Sequence, residues 1–385
     1  MNYPPLSIYI FAGAGWLEAK LAGTIHAGNG LLIAMIKLPS ILADILTSWL
    51  IAWAVRRRER STSTLAILAC AVYLFNPAIW YVSAYWGQTD SIYTLFLVAS
   101  VLAIECEAFL PAWLAYTLAV AAKLQSIALA PLLVAQSLVR RGAPGLSLAA
   151  GIVAVAGTIL VAPWLITGHL GEVLHNAFLD LPTYRPRVVV SAYNCWYLLY
   201  LGRVSYSSSL THPFGLPLSI QTIGLALFAI LATLVAGLAA RRNKCLTVPA
   251  ATLSLGMFML LTQMHERYMY ATLPFILLGA AGQTTLLRAM PSSSQASCSE
   301  RNRLWLVYGA LSLTFLFNLI TIAPFTQALG TNLVAASEDS VFVVIMKVLS
   351  VLVAAINLII LIWLVAKATS ARQNQSVLPE REVSA

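Results

Sequence analysis

The chain has 385 residues, 60% of them hydrophobic and only 10% charged, and carries a formal net charge of +9. A soluble domain of this length would need a far more charged surface, so the composition points to a polytopic membrane protein. Nucleic acid is excluded as a partner, because the cations sit in short clusters between apolar runs, the pattern that orients membrane spans. Cys70, Cys106, Cys195, Cys245 and Cys298 are scattered, with neither disulfide-framework nor metal-knuckle spacing.

The chain starts without the basic region of a signal peptide. Residues 6–22 are aromatic and moderately apolar, but Glu18 and Lys20 shorten the run, which predicts an interfacial helix rather than a span. Residues 31–55 then form a strong span. Pro39 sits near its start, where a missing N–H costs little. Lys37 and Asp44 are seven residues apart and share a helix face, which predicts a buried ion pair.

Arg56, Arg57, Arg58 and Arg60 mark the cytoplasmic side, and the later basic clusters at 140–141, 241–244, 288–303 and 367–372 fit the same side. Residues 62–82 run outward, 86–90 lie outside, and 90–104 return. Residues 110–139 must go out and back within a length too short for two full spans of about twenty residues each. They read as two shortened helices meeting near Lys123–Ser126, with the polar break facing a cavity.

Residues 146–166 go out again and 167–217 form a long outer loop, a length that favours a functional role. Spans at 218–240 and 246–262 lead to an outer turn, His265-Glu266-Arg267-Tyr268. Residues 269–287 return, a Ser-rich inner loop covers 291–299, and 304–324 and 341–366 are the last spans. The expected fold is an all-α bundle of about eleven transmembrane helices over residues 1–368. An outer N-terminus and a disordered cytoplasmic tail at 369–385 complete it.

The unusual polar residues all fall on the outer side of this map, which predicts an outward-facing polar cavity. Asp90 can act there as a general base or cap the following helix, and both readings stand. His265, Glu266 and Arg267 join an acid, a base and a permanent cation. Arg185, Arg187 and Lys123 suit a phosphate, with lipid-headgroup contact for the arginines and snorkelling for Lys123 as the alternatives. His169, His175, Asp180 and His212 match no zinc spacing, so no metal is expected. Gly13-Ala14-Gly15 lacks the strand–helix setting of a dinucleotide loop.

Five motifs occur in order: Asn2-Tyr3-Pro4-Pro5-Leu6, Lys37 to Asp44, Asn76-Pro77 with Trp86-Gly87-Gln88-Thr89-Asp90-Ser91, Ala122-Lys123-Leu124-Gln125, and Met264-His265-Glu266-Arg267-Tyr268. Together they resemble the GT-C glycosyltransferases, most of all the bacterial mannosyltransferase-like members. They are also similar to the dolichyl-phosphate-glucose-dependent glucosyltransferases.

The resemblance implies a multi-pass enzyme, without a cofactor, in the bacterial plasma membrane with its site facing outward. It would move a mannose-like hexose, with inversion, from a polyprenyl-phosphate donor to a lipid, glycan or protein acceptor. It implies an acceptor near Asn2–Leu6 and a donor facing His265, Glu266 and Arg267; Tyr268, beside them, belongs to the expected substrate-binding set. Trp86, Gln88 and Asp90 would line the cavity; Tyr3, Lys123, Gln125, Arg185, Arg187 and Asn194 complete the expected substrate-binding set. The family's usual carboxylate base lies upstream of Tyr-Pro-Pro, after a first span. No residue here matches it, so the chain is expected to lack that span and loop, which leaves Asp90 as the candidate base. A flippase for a lipid-linked sugar, an inactive GT-C-fold binding protein, and a polymerase or ligase using a diphosphate-linked donor are the rival readings.

Overall fold

The computed structural model describes residues 3–23, 25, 28–59, 63–179, 187–200, 212–242, 245–282, 294–322 and 341–370. Among these every regular element is helical. Five helices are long and apolar enough to cross a membrane, or six if one bent pair is counted as a single span. Two further apolar helices, Phe109–Ala122 and Thr247–Leu260, are shorter.

Helix α1 (Pro5–Ala22) opens with Pro5, where no N–H is needed, and closes at Gly23 in the left-handed region. Helix α2 (Gly30–Glu59) ends in its arginines. Pro39 lies well inside α2 rather than near its start, because the helix begins a turn and more earlier than the first-turn position that proline favours. Helices α3 (Ser63–Leu74) and α4 (Pro77–Trp80) are bent by 43°. Pro77 interrupts the ladder, Asn76 Oδ1 accepts from the Ala78 N–H, and Asn76 Nδ2 donates to Tyr308 and Ser312. A π turn, Tyr81–Trp86, follows and is closed by Gly87 at φ 79°. A side chain at Gly87 would meet Lys37 Cγ at 3.0 Å, so the turn packs directly on α2.

Helix α5 (Asp90–Glu105) returns and α6 (Phe109–Ala122) runs back beside it. At Lys123 the backbone is fully extended (φ −161°, ψ 135°), and a 3₁₀ turn, Leu124–Leu129, leads into α7 (Ala130–Ile166). The chain thus breaks inside the 110–139 stretch whose length demanded it. Gly142, at φ 63°, kinks α7. Short helices α8 (Leu170–Leu174) and α9 (Cys195–Tyr200) are the helical pieces described in the long loop, besides a π turn and a 3₁₀ turn.

Helices α10 (Ile220–Arg242), α11 (Thr247–Leu260), α12 (Thr272–Ala281), α13 (Ser294–Ile322) and α14 (Val341–Ser370) complete the bundle. Helix α13 begins within the stretch expected as a Ser-rich loop, and α14 runs past residue 366; residues 371–385 lie outside the described residues.

The centre is α11 and α12, buried on nearly every face, as expected of helices that are apolar all round. The long outer helices instead expose Ile159, Ile230, Ile359 and Ile362, apolar faces suited to a lipid surrounding.

The two ends of the bundle differ. At the arginine-rich end Arg58 Nη2 bonds Glu105 Oε2 at 2.5 Å and Arg58 Nη1 bonds the Leu278 carbonyl at 3.2 Å. Glu105 Oε1 accepts the Leu246 N–H at 2.6 Å, so one carboxylate ties α2, α5, α11 and α12 together. Glu105→Ala leaves a guanidinium and a backbone N–H short of partners. It should cost about 1–3 kcal/mol, read as a lower unfolding midpoint in detergent with the site end unaltered.

Candidate functional site

The polar residues meet at the opposite end, where the helix breaks fall. Asp90 is the first residue of α5 and fully buried. It does not cap its helix: its Oδ1 accepts from Lys123 Nζ at 2.7 Å, and its Oδ2 lies 3.5 Å from Arg267 Nε. Lys123 can reach it because the extended break points the side chain inward instead of along α6. The ammonium sits 5.6 Å from the Tyr93 ring centre and 5.1 Å from that of Tyr268. Such cation–π contacts strengthen when desolvated.

Arg267 comes from a 3₁₀ turn, Glu266–Met269, that joins α11 to α12. Its guanidinium lies 5.2 Å from the Trp86 ring centre and 5.4 Å from that of Tyr268, and its Nη1 donates to Glu266 Oε1 at 3.2 Å. The other Glu266 oxygen accepts from the Ser191 hydroxyl. His265 Nδ1 is 3.4 Å from the same hydroxyl and 3.7 Å from Glu266. Ser191 is fixed in turn by its own N–H on the Met264 carbonyl and by Asn318 donating to its carbonyl. Two cations and two carboxylates therefore alternate across elements far apart in sequence, walled by three aromatic rings.

Burial alone would raise the Glu266 carboxyl. The hydrogen bond from His265 and the charge of Arg267 outweigh it and hold the group at about 2. Burial pushes the His265 imidazole below its ordinary value despite Glu266. Burial opposes the Arg267 charge, but Asp90 and its neighbours raise it further.

Both downward shifts act in one direction. Glu266 contributes stability that is complete above its ordinary 4.5 and lost as pH falls through about 2. His265 resists a proton that the unfolded chain takes up near 6.5, so its contribution also fades on acidification. The unfolding midpoint should fall from pH 7 to pH 3, with a shallower acid limb in Glu266→Gln.

The other expected site residues divide. Gln88 is half-buried on the turn after Trp86, and the Gln125 side-chain carbonyl is buried without a partner two residues beyond Lys123. Tyr3 stacks edge-on against Phe11 and adds to the electrostatic surroundings of Arg267 and Tyr268.

Asn194 is held among backbone groups. Its amide donates to the Phe258 and Leu261 carbonyls, and its Oδ1 caps α9 through the N–H groups of Trp196 and Tyr197. Its hydrogen bonds hold the scaffold and leave little for a ligand. Arg187 is exposed and stands apart from the ion network; Arg185 and Asp180 lie outside the described residues. His169 pairs with Glu172 at 3.5 Å, and no group of three or more metal-ligating side chains gathers among the described residues.

The expected Lys37–Asp44 pair is not formed. Lys37 Nζ donates to the Tyr85 carbonyl at 2.6 Å, while Asp44 accepts from Tyr73 at 3.2 Å and from Tyr270. Two side chains on one helix face can each find nearer partners on neighbouring helices. Ser191, as the partner of Glu266 across seventy-five residues, carried no local signal of that role.

No protein-family model matches the chain, and no curated protein matches it.

Proposed function

We propose that the protein is a membrane glycosyltransferase that moves a mannose-like hexose from a polyprenyl-phosphate donor to a lipid, glycan or protein acceptor, in a bundle of about eleven crossings. The site opens on the outer face of a bacterial plasma membrane. The observation that carries the reading is the convergence of Lys123 and Arg267 on Asp90 beneath Trp86, Tyr93 and Tyr268. A phosphate entering there takes over both cations, which are arranged for an anion before it arrives.

In this reading the acceptor oxygen attacks the anomeric carbon from the face opposite the phosphate. The bond to the phosphate oxygen breaks, the electron pair leaves with the polyprenyl phosphate, and Lys123 and Arg267 stabilise that charge. Asp90, released from its cations, takes the acceptor's proton. Glu266 and Ser191 act as positioning residues for Arg267. The aromatic walls exclude water and strengthen each charge contact.

A second reading has its own support. Asp90 and Glu266 are both paired with cations, which suits a flippase or a binding protein that needs no free base. Incubation of the purified chain in detergent with polyprenyl-phosphate mannose and a soluble acceptor separates them. Release of free polyprenyl phosphate supports the enzyme; saturable donor binding without release supports the alternative.

A further inference from the structure

Among the described residues two buried carboxyl groups, Glu18 and Asp44, have no cation in an ion pair with them, and of the two Asp44 is the one inside a helix of full membrane length. Asp44 lies at the middle of the membrane-length stretch Gly30–Arg58 and is 4% exposed. At the helical rise it stands about 21 Å from either end. Tyr73 of α3 and Tyr270, just ahead of α12, both donate to its Oδ1. Ser83 of the π turn is its third neighbour.

The charged groups on the packed elements are committed elsewhere. On α2 itself, Lys37 is held by the Tyr85 carbonyl and Arg58 by Glu105. On α5, Asp90 is held by Lys123 and Arg267, and Glu105 by Arg58. On α1, Glu18 accepts from Asn29, Tyr9 bonds the Leu160 carbonyl, and Lys20 lies in the last turn. Behind Tyr73, the Tyr308 hydroxyl bonds the Val72 carbonyl.

Burial without a counter-charge decides the state of this group. The Ser83 hydroxyl, 3.2 Å from the Ile79 carbonyl, has one hydrogen to share between that carbonyl and Asp44, so it does not stand in for a cation. An isolated carboxylate at this depth would be strongly disfavoured, since desolvation costs several kcal/mol for an unpaired ion.

We propose that Asp44 is an intramembrane proton-binding site, carrying its proton as the neutral acid. Loss of that proton to water leaves a carboxylate among three hydroxyls, two of which belong to elements that build the cavity. Tyr270 follows Arg267 by three residues, and Ser83 precedes Trp86 by three. Exchange at Asp44 thereby bears on the Arg267–Trp86 stack. This inference does not depend on the donor chemistry, so it survives failure of the glycosyltransferase reading.

Infrared difference spectroscopy on the purified full chain tests it. The wild type should show the carbonyl stretch of a buried carboxylic acid at neutral pH, lowered in frequency in deuterated buffer. Asp44→Asn should abolish the band while keeping the unfolding midpoint, because its amide carbonyl still accepts from Tyr73 and Tyr270. Tyr270→Phe, which removes one donor without touching the acid, should raise the band's frequency; an unmoved band there overturns the assignment. So does the absence of any band in the wild type, or its persistence in Asp44→Asn. A sodium-dependent rise in the unfolding midpoint that Asp44→Asn eliminates would mean that a metal cation, not a proton, occupies the site.

Discussion

Arg267→Ala is expected to lower sugar transfer from a polyprenyl-phosphate donor by about a hundred- to a thousand-fold, the loss typical of removing one preorganised charge-stabilising donor. The residue stands where the loss would be felt most. Its guanidinium joins Asp90 at 3.5 Å to Glu266 at 3.2 Å, and the Trp86 and Tyr268 rings lie beside it. Methylene packing and charge are lost together in the alanine variant, so Arg267→Lys is the informative companion. Lysine keeps the charge but gives up the planar fork and much of the stacking. It should recover only part of the activity. A merely structural role would lower the amount of folded protein and leave kcat per folded molecule unchanged. A role in holding the leaving phosphate lowers kcat itself, and unchanged turnover in Arg267→Ala would remove the residue from the site.

Much of this arrangement was legible before any coordinates. The break at Lys123 follows from length alone, since residues 110–139 cannot hold two full spans. The gathering of Asp90, Lys123 and Arg267 at one end follows from the side on which each polar stretch falls. What the sequence hid were contacts set by helix rotation and by loop packing. Lys37 and Asp44 share a face, yet one reaches the Tyr85 carbonyl and the other two tyrosines, because α2 packs against the π turn and α3 at different heights. Asn194 reads as a cavity residue beside Tyr193, but it caps α9, a helix of six residues too short to announce itself by periodicity. Among the described residues five or six helices have full membrane length, beside the expected count of about eleven crossings. The shorter apolar helices Phe109–Ala122 and Thr247–Leu260 lie next to the segments that carry Lys123 and Arg267.

The Lys123–Asp90 pair carries the second large effect, this time on stability. Lys123→Ala removes the nearer cation from a carboxylate with no exposed surface, which typically costs about 3–5 kcal/mol for a buried pair. Among the described residues Arg267, at 3.5 Å, is then the one counter-charge left in contact. Asp90→Asn should cost less, because its carbonyl still accepts from Lys123. Combining Lys123→Met with Asp90→Asn removes both charges and keeps most of the volume. The double variant should unfold at a higher temperature than Lys123→Ala, since no charge is then left without its nearest partner. All three should be depressed in turnover, the double variant as severely as either single change. Stability and activity would then separate in one set of proteins: the pair's removal restores the fold and not the chemistry. Recovery of turnover in the double variant would show instead that the pair only holds α5 against α6, and that the anion-binding cations lie elsewhere.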